Sequence, residues 1–206
     1  MTATGKSGAT PLEGDGKRIL LIIGTPKSSG FCHALASAYA QGARSQGHVV
    51  REIKLHALSF DPVLHEGYQS NQALEPDLLE AQRLIHWAEH LVLVYPVWWG
   101  GLPALFKGFF ERILQPGFAF KYRNDQRQWD KLLSGRSADL LVTLDTPAWY
   151  FRWVYGAPAH RQMRHTILAF CGIKTRKLEH FSPLRSATES QRQSWLQRAE
   201  ALGKRA

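Results

Sequence analysis

The chain has 206 residues, 44% of them hydrophobic and 21% charged, a length that suits one domain with an ample core and a balance that excludes wholesale disorder. The formal net charge of +9 is uneven: residues 151–206 carry eleven Lys or Arg against three Asp or Glu, while the first 150 are nearly balanced. No apolar run approaches the roughly eighteen residues of a membrane span, no nucleic-acid motif accompanies the basic quarter, and Cys32 and Cys171 belong to no metal-binding or disulfide pattern. A soluble, cytoplasmic protein without a structural metal is expected.

Residues 1–16, rich in Gly, Ser and Thr and lacking a secretory apolar stretch, read as a mobile tail preceding one domain over 17–206. "RILLIIG" (18–24) is a continuous apolar run ending in Gly, the pattern of a strand buried on both faces. "FCHALASAYAQGARSQG" (31–47) predicts a helix closed by Gly47, and "HVVREIKL" (48–55) a second strand. The segment from His56 to Glu75 is polar, contains Pro62 and has no clear period. "PDLLEAQRLIHWAEH" (76–90) spaces Leu78, Leu79, Leu84, Ile85 and Ala88 as a helix does, with Pro76 and Asp77 at its start.

"LVLVYP" (91–96) is the third strand pattern, and "PALFKGFFERIL" (103–114) a helix with one apolar stripe. "ADLLVTLD" (138–145) is a fourth strand, followed by an irregular aromatic stretch. "HRQMRHTILAFCG" (160–172) predicts a helix, "IKTRKLEHF" (173–181) a fifth strand, and "TESQRQSWLQRAEALG" (188–203) a last helix, with Thr188 and Gln191 forming a capping box. Alternating helices and uninterrupted apolar strands imply an α/β domain: a doubly wound, five-stranded parallel sheet in the flavodoxin-like order 2-1-3-4-5. Ligands of such sheets sit beyond the C-terminal strand ends, which directs attention to the loops after Gly24, Tyr95 and Asp145.

The first of these loops, "GTPKSSGFCHALA", offers the hydroxyls of Thr25, Ser28 and Ser29, the bare backbone of Gly30 and a helix N-terminus, a combination suited to a phosphate. It lacks the GK[ST] order of a Walker loop, and a helix cap at Ser29 explains it equally well. In the second, Pro96 fixes the chain, Gly100 and Gly101 admit a planar ligand to the main chain, and Trp98 and Trp99 can wall a flat cavity. Core or interface packing accounts for the two tryptophans alone.

"YPVWWGGLPALFKGFFERILQPGFAF" (95–120) resembles the flavin-binding segment of the NAD(P)H:quinone oxidoreductases of the DT-diaphorase type. The matching features are Pro96 with Trp99, Gly101 with Pro103, the stripe from Lys107 to Arg112, and Phe118 to Phe120. The first loop and "FCGI" (170–173) extend the resemblance over about residues 18–180. It implies a flavin with phosphates on Thr25, Ser29, Phe31 and Cys32 and ring edge on the backbone of Pro96, Val97, Trp98, Trp99 and Gly100; the long segment from His56 to Glu75 leaves room for a loop that contacts an adenine, which favours FAD over FMN. Asp145 stands where the family's third flavin loop carries its Thr-Thr-Gly-Gly turn. The family's substrate-facing Tyr and His have Tyr150, Tyr155 and His160 as candidates, whereas aromatic packing is the plainer reading of each ring.

The resemblance further implies NAD(P)H as hydride donor, a quinone or other flat aromatic acceptor, ping-pong turnover, and a homodimer. A regulatory subunit of a membrane transport system such as potassium efflux, whose ancillary subunits resemble the same family, is the alternative. Arg152 and Arg161 are available to a 2′-phosphate.

Overall fold

The computed structural model describes residues 16–68, 72–123 and 127–206. Residues 1–15 of the expected N-terminal tail lie outside them; at Lys17, the first residue of the expected domain, the backbone N donates to His48 Nδ1 at 3.0 Å. The elements run β1 (Arg18–Ile23), α1 (Phe31–Ser45), β2 (Val49–Lys54), α2 (Pro76–Trp87), β3 (His90–Pro96), α3 (Ala104–Ile113), β4 (Phe120–Tyr122), β5 (Trp129–Lys131), β6 (Ser137–Thr143), α4 (Ala148–Trp153), α5 (Pro158–Arg161), α6 (Ala169–Cys171), β7 (Lys174–Phe181) and α7 (Glu189–Gly203). Between α5 and α6 the chain is wound as a π-helix over Gln162–Leu168.

The sheet order is β2-β1-β3-β6-β7, with every pairing parallel. This is the expected 2-1-3-4-5 order once β4 and β5, a separate antiparallel hairpin, are set aside. Alternation along β1 explains the two layers. Ile19, Leu21 and Ile23 enter the core under α1 and α7 with Leu35, Tyr39 and Ala199, while Leu20 and Ile22 enter the opposite core with Phe106, Phe109, Ile113 and Met163. Each such aliphatic side chain, fully withdrawn from water, contributes about 1.5–3 kcal/mol.

Helices α1 and α7 touch through bare backbone. A Cβ on Gly42 would lie 2.0 Å from Glu200 O, and one on Gly203 would lie 2.1 Å from Tyr39 O, so any larger residue at either position forces the pair apart. The start of α7 carries the expected capping box, Thr188 N donating to Gln191 Oε1 at 2.8 Å and Gln191 N to Thr188 Oγ1 at 3.2 Å.

The aperiodic segment after β2 is fastened rather than packed by period. The fully buried Arg112 guanidinium donates to Asp61 O, to Ala73 O at 2.8 Å and to Glu75 at 3.0 Å. At the opposite end of the sheet from the C-terminal loops, Tyr39 Oη donates to Asp139 Oδ2 at 3.0 Å and lies 3.2 Å from His90 Nε2, while His90 Nδ1 meets Ser137 Oγ at 2.8 Å. This buried polar knot joins α1, β3 and β6.

Candidate active site

Strand register places the loops at the C-terminal edge side by side. Pro96 pairs with Thr143, Val97 N donates to Thr143 O at 2.8 Å, and Gly24 N to Val94 O at 2.8 Å. The β1–α1 loop is exposed from Pro26 to Gly30. Thr25 is buried, its Oγ1 accepting from Lys27 N at 3.3 Å. The residue capping α1 is Gly30, at φ 126° and without a side-chain capping bond, so Ser29 is not a helix cap. His33 and Ala34 already donate to Gly30 O, whereas Phe31 and Cys32 precede the first helical hydrogen bonds and keep amides that point beyond the helix start. Those amides and the dipole of a 15-residue helix form a place for an anion. Burial pushes the Cys32 thiol up, against the smaller opposing effects of Thr143 and Lys27, which leaves it a packing group rather than a nucleophile.

After β3 the chain folds into a tight two-residue turn. Trp98 N donates to Gly101 O at 3.1 Å and Gly101 N to Trp98 O at 2.9 Å, with Trp99 at φ 51° and Gly100 at φ 75°. Two consecutive left-handed residues are the requirement of a type I′ turn, which Gly100 meets at no steric cost and Trp99 meets with strain. The Trp99 ring stands wholly in solvent, at 106% relative exposure. A bulky residue held this way at a strand end is the kind of outlier that marks functional sites.

Facing this turn is the aromatic stretch after β6, which folds as α4 and α5. Phe151 is buried with Leu144 and Ala159 and fixes α4 to the sheet end. Gly156 and Ala157, at φ 70° and 49°, turn the chain back so that Ala157 N reaches Phe151 O at 2.9 Å and Ala159 N reaches Gly100 O at 3.1 Å. The two walls are therefore hydrogen-bonded to one another. Between them opens a hollow of about 540 Å³ lined by Val97, Trp99, Gly100, Leu144, Asp145, Thr146, Phe151, Tyr155 and Pro158. A Cβ on Gly100 would meet only Pro158 Cγ, at 3.6 Å, so the hollow reaches close to bare main chain there.

Of the residues singled out in the sequence, Val97, Trp99, Gly100, Asp145 and Tyr155 thus share one hollow. Pro96 and Trp98 frame its β3 side without lining it, and Thr25, Ser29, Phe31 and Cys32 sit at the start of α1. Cys32 Sγ lies 3.4 Å from Thr143 Oγ1, at the foot of the hollow's β6 side. Asp145 also holds the neighbouring loop, its Oδ1 accepting from Arg185 N at 2.9 Å. Tyr150 meets Tyr155 edge-on, with centroids 5.1 Å apart, but does not line the hollow. His160 lies behind Phe151, ring centroids 5.0 Å apart, and joins His180 through an Nε2–Nε2 contact of 2.7 Å. Burial, the His180 ring and the Arg164 charge together lower its pKa to about 4.

Leu144, Thr146, Phe151 and Pro158 complete the lining and were not among the sequence candidates. The only advance signal was position: all lie within the aromatic stretch after β6. Among the described residues no group of His, Cys, Asp and Glu is arranged to hold a metal ion.

The family model described as flavodoxin-like fold matches residues 17–204, and the chain belongs to that family. It is 27% identical over 188 residues to an uncharacterized NAD(P)H oxidoreductase of Haemophilus influenzae, covering 87% of this chain and 91% of that one. Among solved structures it superposes on the NAD(P)H:quinone oxidoreductase from Methanothermobacter marburgensis with a TM-score of 0.76 at 23% identity, over 92% of this chain and 96% of the other. It also superposes on an FMN-dependent NADH-azoreductase from Bacillus anthracis in complex with FMN, with a TM-score of 0.72 at 16% identity, over 92% and 98%.

Proposed function

We propose that the protein is a flavin-dependent NAD(P)H oxidoreductase that reduces quinones or similar flat aromatic acceptors, with ping-pong use of one pocket. The observation that carries this reading is the hollow between the Trp99–Gly100 turn and the Phe151–Tyr155 wall, set beside a helix start with two spare amides. The residues of the edge suit a flavin: the amides of Phe31 and Cys32 with Thr25 and Ser29 for phosphate, and the backbone of residues 96–100, of which Trp99 and Gly100 keep uncommitted amides, with Asp145 around the ring. The expected flavin is FAD, and the same contacts would hold FMN. When bound, it would take a hydride from NAD(P)H and pass the electrons to the acceptor.

This chain's own part is orientation and exclusion of water. Trp99 and Tyr155 are the exposed rings of the hollow's lining, Phe151 and Leu144 its buried apolar part, and the Trp99 and Gly100 amides, which the turn's own hydrogen bonds do not use, can donate toward charge that develops on a ring. Tyr155 is the candidate able to touch an acceptor there. Tyr150 steadies it edge-on, and His160 supports Phe151 from behind, so these two act as positioning residues in this proposal. The names of the relatives support the donor and acceptor classes.

A homodimer would cover the exposed rings of Trp99, Trp149, Trp153 and Tyr155. Two buried, unpaired cysteines suit a reducing cytoplasm, and no helix among the described residues is long and apolar enough to cross a membrane. Steady-state NADPH oxidation with a water-soluble quinone, measured on the flavin-loaded protein, tests the activity. Parallel lines in double-reciprocal plots are expected, and absence of quinone-dependent oxidation with either NADH or NADPH would refute it.

A further inference from the structure

A second concavity lies on the far side of the hollow's Phe151 wall, along the outer edge of the sheet. It is a groove of about 290 Å³ between β7 and the α5–π-helix segment, walled by Arg152, Arg161, Arg164 and His165 and backed by His160 and His180. Among the described residues no acidic side chain lines it. Alternation along β7 turns Glu179 to the other face, where Arg198 meets it at 3.4 Å.

Several arginines elsewhere in the molecule are held by carboxylates, as Arg44 is by Glu52 and Arg112 by Glu75. Among the described residues Arg152, Arg161 and Arg164 have no carboxylate or carbonyl partner, and Arg152 rests only on the Trp153 ring, 5.1 Å from its centroid. His160 and His180 share one hydrogen bond between ring nitrogens, and His160 Nδ1 is buried without a partner. Three arginines thus line one pocket beside a histidine pair, with no acidic side chain among the described residues of its lining to balance them. Such a concentration of positive charge against low-dielectric walls draws an anion.

The geometry points to this groove as a binding site for a phosphate dianion, either inorganic or carried as a phosphate monoester. Guanidinium forks match phosphate oxygens two at a time, which a single carboxylate would satisfy only in part. A groove this small takes one compact group and not an extended polyanion chain. One source of the group is on hand if the proposed donor chemistry holds: Arg152 and Ala157 of the groove adjoin Phe151 and Pro158 of the hollow, so a dinucleotide in the hollow can run over the turn at residues 155–157 and place a 2′-phosphate among the arginines. That arm rests on the functional reading above; the site itself does not.

The test is titration of the full chain with inorganic phosphate, NADP⁺ and NAD⁺, followed through the imidazole NMR resonances of His160 and His180 in phosphate-free, low-salt buffer. Phosphate is expected to shift both resonances, and R161E/R164E to weaken it by about tenfold or more. The control R83E/K121E, with the same change in net charge at exposed positions outside the groove, is expected to retain binding. A selective loss for NADP⁺ relative to NAD⁺ in R161E/R164E assigns the group to the dinucleotide. Loss for inorganic phosphate alone, with the two dinucleotides unchanged, assigns it to a free anion. No shift with phosphate in the unmodified protein, or equal losses in both double variants, would overturn the site. A colourless preparation would end the flavin reading while leaving the phosphate result to stand by itself.

Discussion

Cys32 and Thr143, 111 positions apart, meet at 3.4 Å and join the first turn of α1 to the end of β6. The candidate phosphate position and the candidate ring position are thereby parts of one edge. This gives Ser29→Glu a separable outcome. A carboxylate just before α1 complements the helix dipole, so folding stability should hold or rise by about 0.3–1 kcal/mol. Repulsion of the flavin phosphate should at the same time weaken cofactor binding by on the order of tenfold. Thermal unfolding of the apoprotein and fluorescence titration with FAD and FMN read the two effects, and unchanged flavin affinity would place the phosphate elsewhere.

The Trp99–Gly100 turn makes a second prediction. At φ 75° a branched residue is strained whatever space surrounds it, so Gly100→Val should distort the turn and abolish flavin retention while leaving a folded chain. In Trp99→Gly the left-handed strain, about 1 kcal/mol, is relieved and partly offset by added freedom in the unfolded chain. Stability should therefore be retained while turnover of flat acceptors falls. Circular dichroism with quinone kinetics checks both variants; undiminished turnover in Trp99→Gly would remove Trp99 from the acceptor wall.

The buried knot of Tyr39, His90 and Asp139 should govern acid stability. Burial alone would raise the Asp139 pKa, but the hydrogen bond and charge of His90 and the Tyr39 hydroxyl outweigh it and hold the carboxyl below its usual range. A depressed carboxylate pKa contributes stability that is present above the unfolded value and lost as pH falls toward the folded one. Asp139→Asn should cost about 3 kcal/mol at neutral pH, because it leaves the knot's other polar groups buried and mispaired. The gap between variant and parent should narrow below about pH 4. Urea denaturation at several pH values measures it, and a gap independent of pH would contradict the assignment.

His160 gives an opposite charge change in a higher window. Its pKa is depressed to about 4 by burial, His180 and Arg164, so the folded protein resists a proton that the unfolded chain accepts. Stability should be fully present above about pH 6.5 and decline as pH falls toward 4, by at most about 1.4 kcal/mol per pH unit. His160→Phe should flatten that slope and, through the Phe151 contact, alter kcat for the acceptor more than KM for NAD(P)H. Denaturation midpoints at pH 7, 6 and 5 provide the comparison, and an unchanged slope would mean that His160 is not the group responsible.

The sheet was legible because burial on both faces leaves continuous apolar strands; "RILLII" and "LVLVYP" admit little else, and the capping box at Thr188 and the Gly47 stop were equally explicit. The hairpin of β4 and β5 was not, since three-residue strands such as "FKY" and "WDK" carry no measurable period. Nor was α4: "AWYFRW" reads as an aromatic loop until Phe151 finds its place under Leu144. Within the candidate site, the glycines announced the turn after β3, but nothing local announced that Trp99 would share the left-handed conformation. His160 and His180 belong to different elements, and only the two-residue alternation that puts His180 on one face with Leu178 hinted that the strand would present a ring to α5. The missed features are those made by tertiary packing, where local propensity has little say.

The most direct test of the central claim is the visible spectrum of the purified full-length protein, recorded before and after incubation with FAD and FMN, then with NADPH, then with a quinone. The account predicts a flavin band that bleaches with NADPH and returns with quinone. A protein that remains colourless and takes up neither flavin would contradict it.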